Sequence, residues 1–261
     1  MDNKQNTTWI ATVARTGSMW TTNVVREILN YSKMNVLPKT LPQTDENWFN
    51  FFERQAFSDL NEKNHYVLKV HTFIEDINIP RSKLITNIRN PYDICASYYQ
   101  FMKCDIDTAI DAALCLPILI DQYKKWDAKN LFIVKYEEIE EPSSKLVLEL
   151  SEFLGAHLDE NAALSIREKF SKESVRKIIA DNDKSLSDKI SKKQEIDARE
   201  VVILGKNNYR SFDLTTGFQT GHISERKTGE WRLAFSESET HKIVEALDNT
   251  AKKFGYRSEK F

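Results

Sequence analysis

The sequence predicts an α/β fold in which helices cover the faces of a central, mostly parallel sheet. Four short apolar runs lack the in–out alternation of half-exposed strands, so they read as strands buried on both faces. Segments with apolar residues at helical spacing separate them, which makes βαβ units and therefore parallel pairing. The 261 residues are 41% hydrophobic and 29% charged with only 7 Gly and 6 Pro, a composition that fills a sizeable core and argues against disorder.

In chain order, the first strand covers Trp9–Ala14. A helical stripe of Trp20, Val24, Val25, Ile28 and Leu29 follows it. The second and third strands cover Tyr66–His71 and Leu84–Arg89. Asn90 then caps a helix that Pro91 opens, with Ile94 and Tyr98 four residues apart on one face. The fourth strand is Leu131–Tyr136. Pro142 is expected to open a helix through Leu146, Val147, Leu150 and Leu154, which Gly155 stops. Residues 158–200 read as charged, solvated helix, and 205–232, where Gly205, Gly217, Gly221 and Gly229 fall, as a long loop. A last helix near Glu237–Phe254 buries Ile243, Val244 and Leu247. One domain over 1–261 is expected.

The balance of 37 Lys and Arg against 39 Asp and Glu leaves a formal charge of −2, so nucleic acid is not expected as a partner. The longest apolar stretch, Leu114–Ile120, contains Pro117 and is far short of the ~18 residues of a membrane span. The N-terminal Met-Asp-Asn-Lys-Gln-Asn holds no apolar signal core, which predicts a cytoplasmic chain. Cys95, Cys104 and Cys115 are odd in number and form no Cys-x-x-Cys pair, so reduced thiols are expected rather than disulfides or a metal centre.

Each of the four strands ends in a polar residue: Arg15, Lys69 with His71, Arg89 and Tyr136. Ligands of open parallel sheets sit beyond those carboxyl ends. Gly17, between the first strand and its helix, is the only glycine before Gly155. A turn that brings backbone N–H groups up to a phosphate or sulfate needs a glycine, and the helix that follows points its positive end at the same anion. An ordinary strand-to-helix turn capped by Ser18 is the alternative. The stretch is not Gly-x-x-x-x-Gly-Lys-Ser/Thr, which disfavours a P-loop kinase or hydrolase.

Lys69 and His71 are two apart and share a strand face, so both reach one reaction centre. Imidazole suits proton removal near neutral pH, and the ammonium suits developing negative charge. Arg89 and Ser97 supply an arginine fork and a hydroxyl, a natural phosphate clamp; a surface pair of Arg89 with Asp93 is the alternative.

In this order the residues resemble the sulfotransferases that use 3′-phosphoadenosine 5′-phosphosulfate (PAPS). Ala14-Arg15-Thr16-Gly17-Ser18-Met19-Trp20 is similar to that family's loop for the 5′-phosphosulfate, with Arg15 where many members have lysine. The resemblance implies catalytic roles for Lys69 and His71, with His71 as base, and a 3′-phosphate site at Arg89 and Ser97. It implies an adenine side at Tyr136 and, through a weaker Ser174-Val175 match, at Ser174. The lid motif looks like Ser224-Glu225-Arg226-Lys227-Thr228-Gly229-Glu230-Trp231, its basic pair displaced by two positions, which makes Arg226, Lys227 and Gly229 further cofactor contacts. It also implies a three-layer α/β/α, P-loop-like fold, PAPS as co-substrate with 3′-phosphoadenosine 5′-phosphate (PAP) as product, and no metal.

The acceptor implied is a small molecule sulfated on a hydroxyl, or on an amine or carbamate nitrogen; a natural product such as a saxitoxin-like alkaloid is one such compound. Asp105, Asp107, Asp111 and Asp121 would favour a cationic acceptor if they faced the pocket, and otherwise form solvated helix. The competing readings are a P-loop-type kinase or nucleotide hydrolase and a non-catalytic PAP binder. A homo-oligomer is left open.

Overall fold

A computed structural model describes residues 6–56, 63–72, 82–205 and 208–257. The chain runs β1 (Asn6–Ala11), α1 (Ser18–Tyr31), β2 (Asn35–Leu37), α2 (Asp45–Ala56), β3 (Asn64–Val70), β4 (Ser82–Ile88), α3 (Pro91–Met102) and α4 (Ile106–Tyr123). It continues through β5 (Leu131–Lys135), α5 (Tyr136–Glu140), α6 (Lys145–Leu154), α7 (Glu160–Lys169), α8 (Lys172–Ser191), the hairpin β6 (Val201–Gly205) and β7 (Asn208–Ser211), and α9 (Glu237–Lys253).

The five strands β2-β3-β1-β4-β5 pair in that order, all parallel. The chain therefore winds to one side of β1 first and to the other side afterwards, so the carboxyl end of β1 is where the winding reverses. In open α/β sheets this reversal leaves the crevice that ligands occupy.

Alternate side chains of each strand feed two cores, as strand geometry requires. Trp9, Ala11, Tyr66, Leu68, Val70 and Leu84 join one core with Trp48 of α2, Leu116 of α4 and Leu247 of α9. Ile10, Val67, Ile85 and Val134 join the other with Val24 and Ile28 of α1, Leu150 of α6 and Ile166 of α7. Sheet and helices thus form the three layers expected. No helix among the described residues is long and apolar enough to cross a membrane.

The borders differ from the sequence reading in instructive ways. The first strand stops at Ala11, three residues early, although Val13 stays buried under the loop. Apolarity marks burial there, not ladder pairing. Pro142 lies in the bend between α5 and α6, and α6 starts at Lys145. The charged stretch 158–200 holds two helices, α7 and α8, the second capped by Ser171 accepting from the Ser174 amide at 3.2 Å. Of the expected loop 205–232, Gly205 ends β6, Asn208–Ser211 form β7 and Trp231 opens the 3-10 turn Trp231–Ala234; residues 212–230 are irregular apart from a Phe212–Gln219 bridge.

Candidate functional site

The turn after β1 is held in shape by its neighbours. Arg15 and Gly17 both take left-handed backbone, at φ 69 and φ 90. The Asn87 side-chain amide of β4 donates to the Thr16 carbonyl at 3.0 Å and to the Thr21 hydroxyl at 2.8 Å. Arg89 Nη1 donates to the Arg15 carbonyl at 2.9 Å. No side chain caps the start of α1, where Gly17 stands, so its first-turn amides are left for another acceptor. A Cβ on Gly17 would stand 2.7 Å from Ile139 Cδ1 and 3.1 Å from a Tyr136 ring carbon. Gly17→Ala is therefore expected to lose about 1–2 kcal/mol of stability to left-handed strain alone, read as a lower denaturation midpoint, with weaker anion binding besides.

β3 delivers the second group. Lys69 is buried, and that burial, only partly offset by the Asp45 carboxylate, pulls its ammonium down to about 8. His71 follows the strand directly. Its amide donates to Asp45 at 2.7 Å, and its Nδ1–H donates to the Thr12 carbonyl at 2.8 Å. A carbonyl only accepts, so the neutral ring keeps a free lone pair on Nε2. Burial first, and then the Lys69 charge, hold the imidazole below its ordinary value, so it is neutral at pH 7.

β4 and α3 deliver the third. Arg89 is buried with its guanidinium 3.8 Å from the Tyr136 ring centre, and its Nε has no hydrogen-bond partner among the described residues. Arg15 Nε donates to Ser97 at 3.0 Å, which draws the clamp serine to the cradle arginine. Burial, then the charge of Arg89, pulls Arg15 down to about 9. Asp93 does not lie at the surface with Arg89: it is buried and accepts from the Gly229 amide at 2.9 Å, and burial pushes its carboxyl up.

These groups line one cavity of about 820 Å³. Arg15, Gly17, Ser18, Met19, Trp20, Lys69, His71, Arg89, Ser97, Tyr136, Arg226 and Lys227 all face it. Three anticipated residues do not. Thr16 is fully buried beneath the turn, with its hydroxyl on the Val13 carbonyl at 2.7 Å. Gly229 contributes its amide to Asp93 instead. Ser174 turns to the Glu168 carbonyl at 2.9 Å, while its neighbours Glu173 and Val175 line the cavity.

The segment 212–228 supplies a further part of the cavity wall, Phe212, Phe218 and His222 among its residues. Thr216 accepts from Asn23 at 2.7 Å, and the His222 carbonyl accepts from Arg15 Nη2 at 3.2 Å. Arg226 Nη1 is buried without a partner among the described residues. With Arg89 Nε it makes two orphaned guanidinium donors at one cavity, the signature of a site built for an anion. The aspartates of α4 lie elsewhere. Asp105, Asp107, Asp111 and Asp121 are exposed, Asp107 paired with Lys242 at 2.6 Å and Asp121 with Lys253 at 2.5 Å, and none lines the cavity. Among the described residues no His, Cys, Asp or Glu cluster is arranged to hold a metal.

The sequence reading missed Asp45, Asn87, Phe101 and His222. Asp45 and Asn87 act on the site through the backbone of distant segments, which leaves no local signal. Phe101 and His222 stack with ring centres 5.3 Å apart, and the Arg15 guanidinium lies 4.0 Å from the Phe101 ring centre. A histidine in a glycine-rich loop was the available cue.

The family described as "Sulfotransferase domain" matches residues 5–219. The fold is similar to a retinol dehydratase solved in a complex with retinol and PAP, at TM-score 0.61 and 14% identity over 99% of this chain and 84% of that one. It is also similar to a mouse sulfotransferase complexed with PAP, at TM-score 0.59 and 14% identity over 96% of this chain and 88% of that one. No curated protein matches the sequence at a significant level.

Proposed function

The chain belongs to the sulfotransferase domain family, and from that premise we propose that it transfers the sulfuryl group of PAPS to a hydroxyl of a small-molecule acceptor. The observation that carries the reading is the convergence of Arg15, Lys69, His71 and Arg89 on one cavity at the sheet's reversal point, with buried guanidinium donors left unpartnered. A donor with phosphates at both ends of a nucleoside fits such a set: the α1 amides and Arg15 take the phosphosulfate, while Arg89, Ser97, Arg226 and Lys227 take the 3′-phosphate. Tyr136, against Arg89, stands on the nucleoside side.

The reaction is an in-line displacement close in physics to phosphoryl transfer. The acceptor oxygen forms a bond to sulfur as the bond from sulfur to the phosphate oxygen breaks. His71 Nε2 takes the hydroxyl proton. Lys69, Arg15 and the loop amides stabilise charge on the sulfonyl oxygens and the departing phosphate. For its location the proposal is the cytoplasm, a reducing compartment in which Cys95, Cys104 and Cys115 stay thiols.

The test is mass spectrometry of candidate acceptors, alkaloid alcohols among them, incubated with protein and PAPS. An added SO₃ is expected on at least one. PAP that gives no calorimetric heat, or PAPS that is never consumed, would remove the reading.

A pH prediction follows from Lys69, whose ammonium discharges from about 8 upward in the free protein. A bound dianion favours the charged form, so its value in the complex lies higher, and binding takes up a proton between the two. PAP affinity is thus expected to hold below pH 8 and to weaken above it, by up to about tenfold per pH unit. Titrations in buffers of different ionisation enthalpy measure that uptake; an affinity flat across pH 7.5–9.5 contradicts it.

A further inference from the structure

The cavity holds a second imidazole whose polarity is the reverse of the first. His222 lines the same cavity as His71 and is fixed from two sides, stacked on Phe101 at 5.3 Å and edge-on to Phe218 at 6.2 Å between ring centres. The Gln219 amide donates to its Nδ1 at 3.3 Å. An amide N–H only donates, so the neutral ring carries its proton on Nε2. His71 is the mirror case, with Nδ1–H committed to Thr12 and Nε2 bare. Burial, then the charges of Arg15 and Lys69, keep His222 well below its ordinary value, so both rings are neutral when the site works.

We propose that His222 is a further catalytic residue: its Nε2–H holds the acceptor oxygen while His71 takes the proton, and together the two rings select hydroxyl over amine acceptors. The inference rests on the sulfuryl-transfer reading of this cavity. A hydroxyl oxygen has two lone pairs and one hydrogen. One pair attacks sulfur, the other accepts from His222, and the hydrogen goes to His71. A neutral amine nitrogen has a single lone pair, which the attack consumes, and nothing remains for the His222 donor. A buried donor left unpaired is penalised, which is how sites built for a hydroxyl reject its analogues.

Nitrogen-15 imidazole spectra of the protein test the polarity directly. His71 is expected as the Nδ1–H tautomer and His222 as the Nε2–H tautomer; the same tautomer on both rings overturns the proposal. The selectivity is tested with PAPS and the paired neutral probes 2-naphthol and 2-naphthylamine. His222→Phe keeps an aromatic ring on Phe101 but lacks the donor. Its kcat/KM for the naphthol is expected to fall about tenfold, the worth of roughly one hydrogen bond. Its kcat/KM for the amine is expected to rise, because the donor that the amine left unpaired is gone, and its PAP affinity to stay within about twofold, because Arg15 binds the backbone carbonyl of His222 rather than its ring. His222→Gln, which restores an N–H donor, is expected to recover most of the loss.

Unchanged naphthol turnover in His222→Phe, or equal losses for both probes, overturns the proposal. Should the wild type sulfate neither probe, PAPS hydrolysis with water as acceptor gives the readout, and an unslowed His222→Phe overturns it there as well. A wild-type protein that neither binds PAP nor consumes PAPS instead defeats the proposed reaction, so the two failures are distinguishable.

Discussion

Replacing His71 with alanine is expected to lower turnover by about 10²–10⁴-fold, the usual worth of a positioned base, while PAP still binds with near-wild-type affinity. The ring is well placed to lose its function without the site losing its ligand. Its amide contact to Asp45 is made by the backbone and survives the change. The side chain's hydrogen bond goes to the Thr12 carbonyl, which fixes the tautomer and leaves the Nε2 lone pair free. Lys69 and Arg15, which line the same cavity, remain, and removing a neutral imidazole takes no positive charge from it. With His71 already neutral in the free protein, the base form is present throughout the mildly acidic range. The fall of kcat/KM with pH is expected on the alkaline side, where Lys69 discharges near 8. Single-turnover mixing of enzyme-bound PAPS with acceptor isolates the chemical step. A His71→Ala variant that turns over normally removes the residue from the mechanism, and one that loses PAP binding as well makes it a structural residue.

Much of this architecture was legible because the fold and the site share a cause. Strands buried on both faces have to be apolar, so a lysine or arginine at the end of such a run, as at Lys69 and Arg89, stands out against its surroundings. Both lie at or just beyond the sheet edge, buried and facing the cavity. Gly17 was legible for a related reason: in a stretch otherwise free of glycine, it stands where the backbone turns left-handed, a conformation that suits glycine and strains most side chains. The edge strand β2 was not legible, since three residues carry too little periodicity to be seen. Helix α2 did carry a signal in Trp48 and Phe52, four apart, which the reading passed over. Least visible were residues whose role depends on chain segments far away in sequence. Asn87 ties β4 to the turn across 71 residues, and the His222 carbonyl meets Arg15 across 207. Such contacts exist only once the sheet order has brought the elements together, and no local pattern anticipates them.

The loss of Arg89 is expected to be felt most in binding: Arg89→Ala should weaken PAP by about 10²–10³-fold, in keeping with the roughly 2–5 kcal/mol lost when one partner of a buried charge-assisted contact is truncated. Two separate functions converge on this one side chain. Its Nη1 holds the carbonyl of Arg15, a residue that is not glycine yet sits at φ 69, so the guanidinium helps keep the cradle turn in a conformation its own backbone disfavours. Its Nε is buried with no partner among the described residues, a donor whose desolvation the proposed 3′-phosphate would offset. Held over the Tyr136 ring, 3.8 Å from its centre, the fork has little freedom to turn elsewhere. Lysine at this position keeps the charge but can satisfy only one of these demands at a time, so Arg89→Lys is expected to recover part of the affinity and not all of it. The apo variants should differ too: because Arg89→Ala frees the Arg15 carbonyl, its melting temperature is expected to fall even without ligand. Isothermal titration with PAP, paired with thermal unfolding of the free proteins, separates the two functions. If Arg89→Ala binds PAP as the wild type does, the 3′-phosphate is held elsewhere; if its free form melts unchanged, the hold on the turn is not Arg89's.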